Sequence, residues 1–165
     1  MTITSSAREA SRTALIGALA AGAAAWSVHG ALAVGADHRE SAGRAAALAA
    51  ASAEVTGLIS VSQKTTGAEI DRLKAGATAA FASELGEQSV ALRRALHAQK
   101  VTSTGRVASA GLVDWEPRRA RVLVAAIGEV ANLRSKTTTP RAYRLRVDLK
   151  QVSGRWLVSD MEFVA

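Results

Sequence analysis

An uncharged stretch, Thr13–Ala36, constrains this chain more than any other feature of its sequence. At 1.5 Å per residue, a helix of this length reaches about 36 Å, which exceeds the roughly 30 Å hydrocarbon core of a bilayer. Such a helix has no polar side to turn toward water, which argues against a helix on the surface of a globular domain. The stretch therefore predicts a single transmembrane helix over residues 13–36, preceded by a short cytoplasmic tail over residues 1–12.

A cleaved secretory signal is the competing interpretation of the same stretch. Residues 34–36 (VGA) have the small-x-small pattern of a cleavage site. The length favours an uncleaved anchor, because the apolar region of a signal peptide has only about 7–15 residues. Ahead of the stretch, Arg8 and Arg12 outnumber Glu9, which predicts a cytoplasmic N-terminus. Under either interpretation, we expect the remainder of the chain to be exported.

Composition excludes several kinds of chemistry. The 165 residues include no cysteine, which rules out a disulfide scaffold, a thiol nucleophile and any cysteine-ligated metal site. The sequence has three histidines, too few to favour a multi-histidine metal site, and it contains neither an HExxH motif nor a phosphate-binding glycine loop. We therefore expect no enzymatic activity, no catalytic residue, no metal and no cofactor.

Helical periodicity follows the predicted span. In residues 37–65 the apolar residues recur at spacings near three, four and seven, which predicts a helical stalk that ends in a polar linker. Thr66 and Glu69 have the spacing of a capping box, so the next helix is expected to begin there. The same periodicity predicts that this helix ends near Gly86 and that a shorter helix covers residues 87–97.

From Val101 the apolar period changes to two, which is the period of a β-strand. The pattern predicts strands over residues 101–113, 120–130, 143–150 and 155–164, joined by a turn at 114–118, a basic loop at 132–141 and a tight turn at Ser153-Gly154. Helices followed by an antiparallel meander indicate an α+β fold, with helices packed on one face of a curved four-strand sheet. The exported domain is assigned to residues 66–165.

Several segments of the exported part carry a resemblance to a known family. They are residues 69–78 (EIDRLKAGAT) with Phe81, 105–111 (GRVASAG), 120–126 (ARVLVAA) with Asn132, 143–147 (YRLRV), and 154–159 (GRWLVS) with 162–164 (EFV). With the single predicted span, this ordered set resembles the actinobacterial Mce-associated membrane protein family.

The resemblance implies both a fold and a role. The implied fold is a cystatin-like domain, related to nuclear transport factor 2-like domains and to the bitopic inner-membrane component of type IV secretion systems. The implied role is an accessory subunit of Mce machines, which carry lipids such as sterols or fatty acids across the cell envelope. Mce complex proteins are then the expected partners.

The chain has an excess of basic residues, with a formal net charge of +7. The positions of these residues indicate where the exported domain would make contacts. Nucleic acid is not expected as a partner, because no stacking aromatics or recognisable binding module accompany the charge. Anionic lipid headgroups or an acidic protein surface fit it better, and a solvated face that keeps the domain soluble explains it equally well. The candidate contact face consists of Arg118, Arg119, Arg121, Arg144, Arg146 and Lys150.

The function predicted from these observations is that of a non-catalytic, single-pass accessory subunit that docks on or stabilises an Mce lipid-transport complex. The alternative is an exported domain whose pocket binds or isomerises a lipid or steroid-like ligand, with Tyr143 and one of Asp114, Asp148 or Asp160 as the reacting pair. A structural subunit of a secretion apparatus is a third hypothesis. An apolar cavity with one converging acid would favour the alternative, whereas a filled core would favour docking.

Overall fold

A computed structural model describes residues 37–65, 67–135 and 137–164. The chain divides into two units, Met1–Ala42 and Gly43–Ala165. In the first unit, the described residues 37–42 are helical and exposed. The predicted cytoplasmic tail and transmembrane helix, residues 1–36, lie outside the described residues. Among the residues that are described, no helix combines the length and the apolar character needed to cross a membrane.

The second unit consists of helices followed by a sheet. Its elements are α1 (residues 43–59), α2 (Gly67–Ala75), α3 (Ala79–Ala98), β1 (Thr102–Glu116), β2 (Arg119–Ala131), β3 (Thr139–Val152) and β4 (Arg155–Phe163). The strands pair antiparallel in the order β1-β2-β3-β4. The predicted α+β architecture, with helices and an antiparallel four-strand meander, is confirmed.

One face of the sheet, the inner face, forms the core with α1. Side chains alternate between the two faces of a strand, and residues four apart share one side of a helix. The fully buried residues of β3, Leu145, Val147 and Leu149, therefore pack against a single side of α1. Residues 43–59, assigned from the sequence to a stalk outside the domain, thus contribute to the domain's core. The α1 residues in this core are Ala47, Ala51, Val55 and Ile59.

The break between α2 and α3 falls earlier than the sequence predicted. The helix ends at Ala75, and α3 continues through Gly86, the predicted end. At the break, the Val158 amide donates to the Gly76 carbonyl (2.9 Å) and the Thr78 amide donates to the Val158 carbonyl (2.8 Å). These hydrogen bonds with the sheet edge satisfy backbone groups that the helix end leaves free. The position of the break therefore depends on a distant strand and cannot be predicted from helical periodicity. Thr66, the predicted cap, lies outside the described residues.

Strand β1 is longer than predicted. It continues to Glu116, so only residues 117–118 form the turn that was predicted over residues 114–118. The reason is Trp115, which faces inward and packs against Trp156, with the ring centroids 5.2 Å apart and the ring planes tilted by 45°. Bulges lie between Val107 and Ser109 and between Leu112 and Asp114, rather than at the glycines where bends were expected.

Of the two connections that flank β3, one differs from the prediction and the other agrees with it. Strand β3 begins at Thr139, inside the region predicted as a basic loop. The tight turn between β3 and β4 is confirmed, since Ser153 and Gly154 both have positive φ angles, 49° and 79°. Glycine adopts this conformation without a steric cost, which suits it to the second position.

Candidate functional site

The second face of the sheet, the open face, carries exposed side chains. On β2, exposed residues alternate with the buried residues of the core, and two of them are large and apolar: Leu123 (46% exposed) and Ile127 (41% exposed). The antiparallel register places Arg146 opposite Leu123 and Ala142 opposite Ile127. The open face thus combines apolar and charged side chains, a mixture typical of protein interaction surfaces.

A cluster of ion pairs occupies one part of the open face. Arg121 donates from Nε and Nη2 to the two carboxylate oxygens of Asp148, over 2.6 and 3.3 Å. This hydrogen bond and the charge of Asp148 raise the pKa of the Arg121 guanidinium. Arg146 lies 3.0 Å from Glu162 and 3.7 Å from both Asp148 and Asp160. We call these five residues the paired cluster. Two of the six predicted contact residues are therefore matched by carboxylates.

The other predicted contact residues are distributed along the same sheet. Arg119 and Lys150 pair in register on β2 and β3, and Arg118 lies in the preceding turn. A hollow of about 430 Å³ beside Arg119 and Lys150 is also lined by Asp114 and Glu116, so the charge there is mixed. The structure thus places the predicted residues on or beside the open face, but acids accompany most of them.

A second hollow, of about 710 Å³, lies at the other end of the open face. We call it the distal hollow. Arg106, in the lining of the hollow, lies nine residues before Trp115 on β1. Trp115 is the residue against which Gly43, at the start of α1, packs. At about 3.3 Å per residue, the separation along β1 is about 30 Å. The lining residues are Thr104, Gly105, Arg106, Ile127, Gly128, Glu129, Pro140, Arg141 and Ala142.

The arginines around the distal hollow differ from those of the paired cluster. Within the described residues, the side chains of Arg106, Arg141 and Arg144 form no hydrogen bond or ion pair. Arg106 and Arg144 belong to the open face, whereas the register puts Arg141 in the inward row of β3 with Tyr143. Sequence reasoning assigned Arg106 to a strand with bends and Arg141 to a loop, and so named neither as a contact residue. The alternation of Arg106 with the inward-facing Val107 could have placed it on the open face.

The inner side of the sheet contains a smaller cavity of about 210 Å³. Tyr143 lines it, with its ring 6.1 Å from that of Phe163. Ser103, also in the lining, donates its hydroxyl to the Ile59 carbonyl over 2.6 Å. The remaining lining residues are apolar: Leu58, Ile59, Val61, Leu96, Val101, Val130 and Phe163.

The three candidate acids lie away from this cavity. Asp148 and Asp160 are members of the paired cluster, and Asp114 pairs in register with Arg121. All three are therefore on the open face, whereas Tyr143 faces inward. The structure does not bring the predicted tyrosine–carboxylate pair together.

Glu54 on α1 is a titratable group that sequence reasoning missed. Burial raises the pKa of its carboxyl from 4.5 to about 7. The carboxylate packs so closely on Gly76 that a Cβ atom there would collide with it. His97 is exposed near the end of α3. Over residues 37–65, 67–135 and 137–164, no cluster of histidine and acidic side chains could hold a metal ion.

The fold is similar to that of several solved bacterial proteins. The periplasmic domain of DotI superposes with a TM-score of 0.59 at 13% identity, over 71% of this chain and 91% of that one. CagV, a VirB8 homolog of the type IV secretion system of Helicobacter pylori strain 26695, gives 0.58 at 12% identity, over 73% and 97%. An IcmL-like type IV secretion system protein of Legionella pneumophila gives 0.58 at 10% identity, over 73% and 91%. At these identities the likeness shows a shared fold.

Sequence comparison finds a mycobacterial relative. The chain is 28% identical over 122 residues to the uncharacterized protein Rv1363c of Mycobacterium tuberculosis (strain ATCC 25618 / H37Rv), covering 73% of this chain and 47% of the relative. The chain thus spans about half the length of that protein. A family model described as "Uncharacterized protein Rv1363c/MT1408-like" matches residues 10–165. The Mce association stays a prediction, and the chain belongs to the Rv1363c/MT1408-like family.

Proposed function

We propose that this chain is a membrane-tethered, non-catalytic accessory protein of the cell envelope, whose exported domain docks on another protein through the open face. The anchor is residues 13–36, with the N-terminus in the cytoplasm. We propose a lipid-transporting Mce complex as the assembly, on the resemblance of the ordered sequence segments described above.

The observation that carries the proposal is the open face itself. Leu123 and Ile127 are exposed there although the inner face buries every large apolar residue at the centre of β2 and β3. Exposed apolar groups flanked by arginine are common where proteins meet, because burial of the apolar part stabilises the contact and arginine supplies directed hydrogen bonds. A docking role accounts for both kinds of side chain.

The structural relatives support the envelope part of the proposal. Their names place one of them in the periplasm and two of them in type IV secretion systems. A domain of the same fold in this chain suits an exported position and an assembly of several proteins. A secretion apparatus is thus the second assembly that could contain it.

A ligand-binding or isomerising domain has less support. The inner cavity, at about 210 Å³, is smaller than the roughly 300–1,000 Å³ of typical small-molecule sites. Proton transfer at a bound ligand needs a base and an oxyanion donor that converge on one point. Tyr143 and the candidate acids point to opposite sides of the sheet, so this pair does not meet that requirement.

The proposal is tested by crosslinking the full chain in native membranes, followed by purification in mild detergent. We expect Mce proteins among the crosslinked products and expect Ile127→Asp to remove them, because a buried carboxylate opposes docking. Gln88→Asp, an exposed change on α3, is the matched control and should leave the products unchanged. Recovery of secretion-system proteins instead would contradict the Mce assignment, and recovery of the chain alone would contradict docking.

A further inference from the structure

A third hollow, of about 550 Å³, lies between α3 and the segment 60–65 that follows α1. We call it the α3 hollow. Val101 links its two sides, because the Val101 carbonyl accepts from the Gln63 amide (2.7 Å) and the Val101 amide donates to the Leu96 carbonyl of α3 (2.9 Å). The hollow is thus a cleft between two elements that are held in place. Its polar lining residues are Gln63, Thr65, Arg93, Arg94 and His97.

The ionisable side chains of the α3 hollow are all basic. Arg93, Arg94 and His97 line it, and none of the described lining residues is acidic. Within the part of the chain that the structure describes, these three side chains form no hydrogen bond or ion pair. The helix does not neutralise the arginines either, since no acid lies three or four residues before or after them. The acids of α3, Glu84 and Glu87, precede both arginines by a longer interval.

The dipole of α3 does not account for the two arginines. A cation stabilises the C-terminal end of a helix, and this effect falls off within the last turn. His97 lies in that turn, whereas Arg93 and Arg94 precede it. The helix end is capped by backbone, since the Gln99 amide donates to the Ala95 carbonyl (3.0 Å). The guanidinium groups of both arginines are therefore available to a ligand.

From this cleft and its unmatched guanidinium groups we infer that the α3 hollow binds a phosphate monoester, with Arg93 and Arg94 as the principal donors. A phosphate monoester offers three acceptor oxygens, enough for two guanidinium groups and further donors, whereas one guanidinium satisfies both oxygens of a carboxylate. The Gln63 amide and the Thr65 hydroxyl supply neutral donors from the other side of the hollow.

The test titrates the full chain, purified in dodecyl maltoside, by isothermal calorimetry. A soluble ester and a lipid headgroup can carry the same phosphate group, so glycerol 3-phosphate and dihexanoyl phosphatidic acid are both used as probes. Succinate, a dicarboxylate of similar charge, is the matched probe. We expect glycerol 3-phosphate to bind and succinate to bind at least about tenfold more weakly, because phosphate has more acceptor oxygens on one centre.

Variants assign the binding to the α3 hollow. Arg93→Gln and Arg94→Gln should each weaken the binding of glycerol 3-phosphate by about tenfold, and Gln63→Ala by about threefold. Arg72→Gln removes an exposed guanidinium of α2 that is outside the described lining, and it should alter the affinity by less than about twofold. Two independent arginine variants keep the test valid if one of them unfolds, which circular dichroism would reveal.

Two outcomes would support the inference and identify the source of the phosphate. Tighter binding of dihexanoyl phosphatidic acid than of glycerol 3-phosphate, weakened by both arginine variants, would assign a lipid headgroup. Equal or weaker binding of the lipid would assign a soluble ester.

Three outcomes would overturn the inference: no saturable binding of either ester up to about 10 mM, equal affinities for glycerol 3-phosphate and succinate, or equal affinities of Arg93→Gln, Arg94→Gln and Arg72→Gln for the ester. None of the described residues that line the α3 hollow belongs to the sheet. The result is therefore independent of docking through the open face.

Discussion

Leu123 and Val124 are neighbours on β2, yet Val124 is 2% exposed and Leu123 is 46% exposed. The difference extends over the whole sheet, because alternate residues of each strand belong to different faces. The inner face is apolar and is packed against α1, so its residues serve the stability of the domain. The open face keeps apolar and charged residues in water, where stability does not require them. Comparison of the two faces thus separates residues that hold the fold from residues available to a partner.

The open face itself has two parts with different electrostatics. In the paired cluster, Arg121 and Arg146 are matched by carboxylates of the same chain. Near the distal hollow, Arg106 and Arg144 have no such match within the described residues. The first arrangement stabilises the sheet modestly, and the second leaves charge available for binding.

The largest expected effect separates the two faces through a leucine on each. Leu145→Ala removes a fully buried side chain and should lower the free energy of unfolding by about 2–5 kcal/mol. Leu123→Ala removes a half-exposed one and should cost about 0.5 kcal/mol. Urea unfolding followed by circular dichroism measures both. Equal losses would mean that the open face is packed as tightly as the inner one.

Two glycines of β1, Gly105 and Gly111, differ in how closely the rest of the domain packs on them. A Cβ atom at Gly105 would lie 2.5 Å from the side chain of Ile59, whereas a Cβ at Gly111 has nothing within 4 Å. Gly105→Ala should therefore cost about 1–3 kcal/mol by overpacking, and Gly111→Ala should change stability by less than about 0.5 kcal/mol. Thermal unfolding of the pair provides the measurement. A neutral Gly105→Ala would show that α1 does not pack closely on the inner face.

Within the open face, two arginines on β3 compare the paired and unpaired states. Arg146→Gln leaves three carboxylates without their shared cation and should cost about 1 kcal/mol, whereas Arg144→Gln should cost about 0.3 kcal/mol or less. Roughly 1 M salt should shrink this difference, because it screens exposed charges. A difference that persists in salt would show that packing of the Arg146 stem, not charge, supports the fold.

A further expected effect concerns pH and the half-buried carboxyl of Glu54 on α1. Burial raises the pKa of Glu54 from 4.5 to about 7, so the folded chain binds this proton more tightly than the unfolded chain does. Stability from this group is present below about pH 4.5 and is lost as the pH rises through about 7.

Glu54→Gln should remove the loss of stability that accompanies ionisation of this carboxyl. Because the carboxyl is only half-buried, water screens it, and we expect a gain of about 1 kcal/mol at about pH 8 and none at about pH 4. Glu129→Gln on the open face is the control and should show no such dependence. Chemical unfolding at the two pH values measures both variants. A parent chain whose stability rises between them would contradict the account.

The strands could be predicted from the sequence because half-buried strands alternate in polarity. The segment from Tyr143 to Lys150 shows this most clearly, and it forms the inward and outward rows of β3. The break at Gly76 and the extension of β1 to Glu116 could not be predicted, since the first depends on pairing with Val158 and the second on the contact of Trp115 with Trp156. These partners are distant in the sequence.

The candidate site was predictable to a lesser extent. Alternation correctly assigned Arg144 and Arg146 to one row of β3. The match of Arg121 with Asp148 joins residues on different strands and follows from the register, which the sequence does not specify. Arg106 lies opposite Ile127 for the same reason, so the distal hollow becomes visible only in the folded sheet.

The most direct test of docking through the open face uses the absence of cysteine from the chain. Leu123→Cys and Val90→Cys introduce single thiols at positions of nearly equal exposure, 46% and 47%, on the open face and on α3. Their reaction rates with a membrane-impermeant maleimide are compared between intact cells and the purified chain. We predict that Leu123→Cys reacts about tenfold more slowly in cells while Val90→Cys keeps its rate. Equal rates for Leu123→Cys in both settings would contradict the account.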